Sequence, residues 1–266
     1  MQRDLIYDVG FHHGEDTEFY LTKEFKVVAI EAHPALYEAG LKKFAKDVES
    51  GRLTLLNLAV AETSGPMSFF ESDNDVWGSI RRDAAERNER LGAGWREITV
   101  EGRKFGEILR QFGVPYYMKV DIEGADLLCL KALVEFDDRP KYISIEAEVD
   151  VLSGIRREIA ALGRLGYAKF KIVRQGHVPQ QSCPFPAREG KFVEYKFPYG
   201  SSGMFGEEAP GEWITGERAV EGYRKIVRVQ RLFGDKGWVR RLPLGKKITN
   251  FIQPDVSWYD THASLS

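Results

Sequence analysis

Short runs of apolar residues alternate with stretches of helical periodicity over the first two-thirds of the chain. The apolar runs predict six strands, at residues 5–9, 26–30, 53–60, 118–122, 142–147 and 167–173. Helical spacing predicts helices at residues 15–25, 36–48 and 126–134, and a fourth that carries Ile155, Ile159, Leu162 and Leu165. Continuous apolar strands that alternate with amphipathic helices are typical of a parallel sheet covered on both faces. The pattern therefore predicts a doubly wound α/β fold, with ligands at the carboxyl ends of its strands.

The sequence changes in character after about residue 176. Residues 176–216 are rich in glycine, proline and aromatic residues, which predicts a long ordered loop, a lid or a small subdomain. Residues 217–233 then show helical spacing, with Val220, Tyr223 and Val227 on the apolar stripe. We therefore expect a ligand-binding sheet domain at residues 1–176. Residues 177–266 are expected to form a loop-rich and helical elaboration that packs on the same domain and recognises the substrate.

Composition narrows the class of protein. The 266 residues carry 38 Lys and Arg against 40 Asp and Glu, a net charge of −2, which argues against a DNA-binding protein. The two cysteines lie far apart and form neither a disulfide framework nor a metal knuckle. No apolar run is long enough to span a membrane, and the first residues lack the apolar region of a secretory signal. We therefore expect a cytoplasmic protein without a transmembrane segment.

The near-neutral sum conceals an uneven distribution of charge. Residues 217–247 hold ten Lys and Arg but only three Asp and Glu, so the rest of the chain is acidic. This basic segment is either a solvated face that complements the acidic body or a docking surface for an anionic acceptor. The oligomeric state stays open, with a homodimer as one alternative.

The loop after the first predicted strand, at residues 8–14, has features of a nucleotide-type site. Gly10 and Gly14 allow a tight turn and a close approach to a ligand, and the following helix offers free N–H groups. Asp8 would repel a pyrophosphate but suits an ammonium or sulfonium cation. Glu31 ends the second strand, where a carboxylate suits the two ribose hydroxyls. These features indicate S-adenosylmethionine (SAM), with S-adenosylhomocysteine as product; an ordinary strand–helix turn is the alternative.

A second element stands at the end of the fourth predicted strand, Lys119-Val120-Asp121-Ile122-Glu123-Gly124-Ala125-Asp126. With the loop at residues 8–14, it resembles the signatures of the FkbM-type SAM-dependent methyltransferases. The resemblance covers roughly residues 5–175 and implies a Rossmann-like class I methyltransferase fold. The chain departs from the family pattern at Phe11-His12, where Ala-Asn is usual, and at Gly106, where Asp is common. These departures leave the substrate open.

The resemblance also implies roles for residues of the cofactor site. Glu31 should hold the ribose, and Asp121 should lie beside the methyl-transfer centre. The methionine end of SAM should be enclosed by Asp8, Gly10 and Gly14. The adenine should be enclosed by Ala32, Leu58 and Ala59, and Phe11 is a further cofactor-binding residue.

Candidate catalytic groups are the acids at the strand ends and two histidines. A base that removes the proton of a hydroxyl acceptor could be Asp121, Glu123, Glu146, His12 or His177. Carboxylates that converge on one cleft would raise one another's pKa and so become stronger bases. Glu123 could instead cap the helix that follows it. The acidic cluster could hold a divalent cation through oxygen ligands, but no tight set of metal ligands is present in the sequence, so we expect no metal site.

Substrate contacts are expected from the C-terminal region, at His177, Trp213 and His262, with Trp77 and Trp258 as further aromatic candidates. The leading hypothesis is O-methylation of a hydroxyl on a sugar, a glycan or a secondary metabolite, which could be anionic. N-methylation, and methylation of a protein or lipid-linked substrate, are alternatives. A noncatalytic SAM-binding or partner-binding protein is a second class. A nicotinamide-dependent oxidoreductase is disfavoured by Asp8 and by the missing third glycine.

Overall fold

The computed structural model describes residues 1–72, 94–122, 124–149, 151–234, 237–239, 242 and 256–265. In these residues the strands are β1 (Gln2–Val9), β2 (Lys26–Glu31), β3 (Leu53–Asn57), β4 (Ala59–Val60), β5 (Gly65–Ser72), β6 (Trp95–Arg103), β7 (Pro115–Val120), β8 (Tyr142–Glu146), β9 (Lys169–Arg174) and β10 (Tyr259–Ser264). Seven of them form one sheet in the order β3-β2-β1-β7-β8-β10-β9. A smaller sheet has the order β4-β6-β5.

Helices cover both faces of the large sheet, as the sequence predicts. They are α1 (Glu15–Thr22), α2 (Pro34–Lys43), α3 (Ala45–Glu49), α4 (Phe105–Phe112), α5 (Asp126–Leu133), α6 (Leu152–Arg164) and α7 (Gly216–Phe233). One apolar core joins the sheet to α4, α5, α6 and α7, and a second joins its other face to α1 and to residues 178–205. The doubly wound α/β fold is therefore confirmed.

Strand β10 departs from the parallel sheet that the sequence predicts. It runs antiparallel to both neighbours, β8 and β9, and lies between them. All six residues of β10 are buried, although most of its side chains are polar or small. Because a buried strand is recognised in sequence by its apolar run, this one carries no signal of that kind. Residues 177–266 thus supply a strand of the central sheet as well as loops and a helix.

Several element boundaries also differ from the predicted ones. The strand predicted at residues 53–60 divides into β3 and β4, and the helix predicted at 36–48 divides at Phe44 into α2 and α3. The antiparallel pair of β5 and β6 has no counterpart in the predicted elements. In the part of the chain that is described, no helix is both long enough and apolar enough to cross a membrane.

The topology brings distant residues to one edge of the sheet. The carboxyl ends of β1, β2, β7, β8 and β9 meet there, and antiparallel β10 begins there, with Asp260 in register with Glu146. Polar residues that follow these strands are therefore neighbours in space although they lie far apart in sequence.

Candidate active site

A cavity of about 740 Å³ opens at this edge of the sheet. The loops after β1, β2 and β7 and the end of β8 lie on one side of it. Gln175, residues 199–202 and the start of β10 form the other. The cavity lies where a doubly wound sheet is expected to bind its ligand.

The two loop glycines are required mainly by contacts within the protein. Gly10 has φ +98°, and a Cβ built on it would lie 1.9 Å from the backbone oxygen of Asp121. Gly14 has φ +74°, and its Cβ would lie 2.6 Å from the rings of both Phe11 and Phe44. From the sequence, these glycines are expected to allow a tight turn and a close approach to a ligand. Gly10 does line the cavity, but the close contacts in the structure are with β7 and with buried rings.

Glu31 is held rigidly in the cavity wall. Its Oε2 accepts a hydrogen bond of 2.8 Å from the backbone N–H of His12, and its Oε1 accepts one of 2.8 Å from that of His33. Burial raises the pKa of Glu31, and these two hydrogen bonds oppose the effect. Each carboxylate oxygen has a second lone pair, so the side chain can accept two further hydrogen bonds from a ligand.

An apolar wall lies beside Glu31. Leu58 and Ala59 are buried there, and Ala32, Leu36 and Phe69 complete the surface. Phe69 belongs to β5, which the sequence pattern did not predict. This wall suits a flat apolar group such as a purine ring.

Lys119 links the first loop to β7. Its Nζ donates a hydrogen bond of 2.9 Å to the backbone oxygen of Gly10. Carboxylate oxygens of Asp8 and Asp16 lie 3.5 Å from the same Nζ, and one of Asp121 lies 3.6 Å away. Burial alone would lower the pKa of Lys119, but these carboxylates outweigh it and hold the pKa well above its usual value. A permanently charged ammonium therefore holds the loop, α1 and β7 together.

Asp8 lies beneath the loop and does not line the cavity. It is fully buried, and its Oδ2 accepts a hydrogen bond of 2.7 Å from the Thr17 hydroxyl. Burial raises its pKa to about 6, against the opposing charge of Lys119. Asp8 thus supports the loop through Lys119 and Thr17.

Carboxylates line the next part of the cavity. They are Asp121 directly after β7, Glu146 at the end of β8 and Asp260 at the start of β10. Burial, and then the neighbouring carboxylate of Asp121, raise the pKa of Asp260 well above its usual value. Asp260 is not among the candidate site residues that the sequence predicts. Glu123 lies outside the described residues, and among those described no group of three or more acids, histidines or cysteines has the geometry to hold a metal ion.

Other predicted residues lie in different places. His12 lines the cavity on the Glu31 side, and its ring lies 4.0 Å from that of His13, measured between centroids. His177 is exposed and contacts Arg174, with 2.7 Å between Nε2 and the guanidinium. His262 is buried inside the sheet, and burial lowers its pKa to about 3, so it stays neutral.

The aromatic candidates also divide. Trp213 stacks on Tyr142 at the opposite end of β8, with 6.0 Å between ring centroids, so the structure does not bring it to the cavity. Trp258 does line the cavity, beside Tyr199. Trp77 lies outside the described residues.

Comparisons with known proteins give weak similarities and one specific match. A search of curated proteins finds none that matches. Among solved structures, a precorrin-6y C5,15-methyltransferase from Geobacter metallireducens GS-15 has a TM-score of 0.39 at 13% identity, covering 65% of this chain and 69% of its own. A putative sarcosine dimethylglycine methyltransferase from Galdieria sulphuraria has a TM-score of 0.41 at 8% identity, covering 100% and 80%. These values are too low to bear on activity or substrate.

The specific match is to a protein family. The sequence profile described as the methyltransferase FkbM domain matches residues 8–167, which is more than half of the chain. The match includes the loop around Gly10, the Glu31 position and the Lys119–Asp121 strand end, the same residues that form the cavity wall. The chain therefore belongs to the FkbM family of methyltransferases, whose methyl donor is SAM.

Proposed function

We propose that the protein transfers the methyl group of SAM to a hydroxyl of a sugar, a glycan or a secondary metabolite. One observation carries the proposal. A single cavity joins Glu31, which fits a ribose, to a row of carboxylates that ends at Asp260, whose raised pKa makes it a stronger base than an ordinary aspartate.

The residues on the first side of the cavity fit SAM. Glu31 would accept hydrogen bonds from both ribose hydroxyls with the lone pairs that His12 and His33 leave free. Leu58 and Ala59, together with Ala32, would pack against the adenine. Gly10 and Phe11 would border the methionine portion, while Asp8 and Gly14 would support the loop from behind.

The positive charges of SAM have acidic neighbours. Asp16 and Asp121 line the cavity beside Gly10, and both lie within 3.6 Å of Lys119. Lys119 fixes their positions, and the site remains acidic because several carboxylates share one ammonium. When bound, SAM supplies a methyl group already activated by the sulfonium, so the protein needs no nucleophile of its own.

The acceptor hydroxyl must lose its proton during transfer. We assign this step to Asp260, with Asp121 and Glu146 orienting the acceptor at the same edge. Burial raises the pKa of Asp260, and the nearby carboxylate of Asp121 raises it further, which favours proton uptake. His12 lies on the ribose side of the cavity and fits the base role less well.

Calorimetry with SAM, S-adenosylhomocysteine and NAD tests the cofactor half of the proposal. We expect binding of the first two and none of NAD; absence of binding by both SAM-type ligands would overturn it. A screen with radiolabelled SAM against extracted glycans and metabolites tests the acceptor half. Label that appears only in amines would replace O-methylation by N-methylation. Label in no acceptor class at all, protein and lipid fractions included, would favour a noncatalytic SAM-binding protein.

A further inference from the structure

We propose that Gln175 binds the methyl acceptor through its side-chain amide, and that the acceptor presents an uncharged hydroxylated group there, such as a sugar ring. This inference rests on the proposed function, since SAM must occupy the Glu31 side of the cavity. Gln175 directly follows β9 and is 3% exposed, yet it lines the cavity. Within the described part of the chain, neither its Oε1 nor its Nε2 has a hydrogen-bond partner.

A buried amide without partners is unfavourable for folding, because it has lost its hydrogen bonds to water. The backbone nevertheless holds Gln175 in place. Its N–H donates a hydrogen bond of 3.0 Å to the backbone oxygen of Trp258, and the N–H of Gly176 donates one of 3.3 Å to the Ser257 hydroxyl. The residues just before β10 therefore fix the backbone of Gln175 at the cavity wall, where a ligand can supply the partners that its amide lacks.

The position of Gln175 separates it from the cofactor residues. Glu31 ends β2, whereas Gln175 follows β9, five strand positions further along the sheet. At the usual strand spacing of about 4.8 Å, this is roughly 24 Å along the sheet edge. Asp121, Glu146 and Asp260 lie between the two. The amide is thus placed beyond the row of carboxylates, on the acceptor side.

The charges around the cavity argue against an anionic acceptor. Six carboxylate residues line it, and Lys119 is the single Lys or Arg among its described lining residues. Lys119 already contacts Asp8, Asp16 and Asp121. None of the basic side chains described on α7 lines the cavity, and Arg228 and Arg231 among them are exposed. An acceptor with a carboxylate or phosphate here would meet net repulsion.

The chemistry of the subsite fits a hydroxylated ring. An amide has both a donor and an acceptor, so it can pair with adjacent hydroxyl groups. Trp258 and Tyr199 line the same part of the cavity, with ring centroids 5.3 Å apart and planes at 78°. Aromatic faces pack against apolar C–H surfaces, while their polar tips and the amide satisfy hydroxyls.

Binding of two methyl glycosides to the full chain, saturated with S-adenosylhomocysteine, tests the inference. The probes are methyl α-D-glucopyranoside and its uronate, and binding is followed by saturation-transfer NMR. We expect the neutral glycoside to bind in preference to the uronate. Gln175→Ala should weaken that binding about tenfold, and Gln175→Asn should retain part of it. Gln180→Ala, an exposed glutamine of the same turn, should change nothing.

A stability measurement separates binding from a structural role. Gln175→Met replaces the amide by an apolar side chain of similar length, so we expect a higher Tm without ligand together with loss of glycoside binding. Unchanged glycoside binding in Gln175→Ala would overturn the inference, as would preference for the uronate, or no glycoside binding at all. All of these outcomes leave S-adenosylhomocysteine bound. Failure of wild-type protein to bind that ligand would instead overturn the proposed function.

Discussion

The carboxylate of Asp16 accepts a hydrogen bond of 2.8 Å from the backbone N–H of Ser202, which lies 186 residues later in the chain. Both residues are buried, and both line the cavity. A second buried contact lies just after α1, where Lys23 forms an ion pair of 2.9 Å with Glu208. Residues 199–208, which reach the acceptor side of the cavity, are therefore fixed both to α1 and to the residue that follows it.

Asp16→Ala should release this segment locally. The hydrogen bond involves a charged acceptor, so its loss should speed hydrogen exchange of the Ser202 amide by about tenfold or more. Asp16→Asn keeps an acceptor oxygen in place and should retain most of the protection. Equal protection of Ser202 in the alanine variant and the wild type would show that other contacts hold the segment.

Glu31→Ala should weaken SAM binding strongly while the fold stays intact. The change removes two hydrogen bonds to a charged group, which corresponds to a loss of affinity of about a hundredfold. Calorimetry with SAM measures this loss, and circular dichroism checks the fold. Glu38→Ala, at an exposed position of the adjacent helix α2, is the matched control and should bind SAM normally. Wild-type affinity in Glu31→Ala would remove Glu31 from the ribose site.

Asp260→Asn should reduce methyl transfer without reducing SAM affinity. Asparagine has nearly the same shape but cannot take the proton, so we expect kcat to fall by about 10² to 10⁴. In the wild type the rate should rise with pH through the raised pKa of Asp260, and the variant should lose that limb of the pH profile. Asp137→Asn, an exposed control, should behave as wild type. A variant that keeps both the rate and the pH limb would exclude Asp260 as the base.

Gly14→Ala tests the packing of the first loop against a control of equal backbone strain. Gly14 and Gly51 both have φ +74°, so alanine carries the same conformational cost of about 1 kcal/mol at either position. Only at Gly14 does the new Cβ meet aromatic rings, those of Phe11 and Phe44, whereas nothing lies within 4 Å at Gly51. Gly14→Ala should therefore lower the free energy of unfolding by a further 1–3 kcal/mol or so. Equal losses in urea denaturation would mean that the rings move aside freely.

The sequence predicts the residues on the cofactor side of the cavity better than those on the acceptor side. Gly10, Glu31 and Asp121 lie at the carboxyl ends of apolar strands, so periodicity alone brings them to one edge of the sheet. Strand β10 carries no apolar run, and its place between β8 and β9 depends on pairing with residues more than 80 positions earlier. Asp260 enters the cavity through that pairing, which no local pattern reveals.

The lack of a local pattern also explains why His177 and Trp213, which the sequence predicts to contact the substrate, do not line the cavity. The sequence predicts a substrate contact at His177, but this residue is exposed, and Gln175 two residues earlier lines the cavity. Which residue of a short turn faces inward is set by its hydrogen bonds, here by the one from Gln175 N–H to Trp258. Trp213 lies away from the cavity for a different reason. A large aromatic side chain packs against any surface that matches it, and here that surface is the ring of Tyr142.

The interface between α6 and β10 contains a buried acid with consequences for stability. Burial raises the pKa of Glu158 to about 8, and the carboxylates of Asp126 and Glu148 add to the effect, while Thr261 opposes it. In the unfolded chain the carboxyl titrates near pH 4.5. Between about pH 4.5 and 8 the unfolded state therefore binds fewer protons than the folded state, and stability must fall as pH rises. The full loss, at most about 5 kcal/mol, is reached above pH 8.

Glu158→Gln should remove this pH dependence. The amide stays neutral at every pH, so we expect the variant and the wild type to have similar Tm values at pH 4.5, with the variant progressively more stable towards pH 8.5. Thermal denaturation across that range measures the difference, and Glu212→Gln, an exposed acid, should follow the wild type throughout. A Tm difference between Glu158→Gln and the wild type that stays constant with pH would mean that Glu158 keeps the same charge across the range. Its effect on the stability of the protein would then come from packing or from the contact with Thr261. A gap that widens with pH would identify Glu158 as a protonated carboxyl buried beside the strand that carries Asp260.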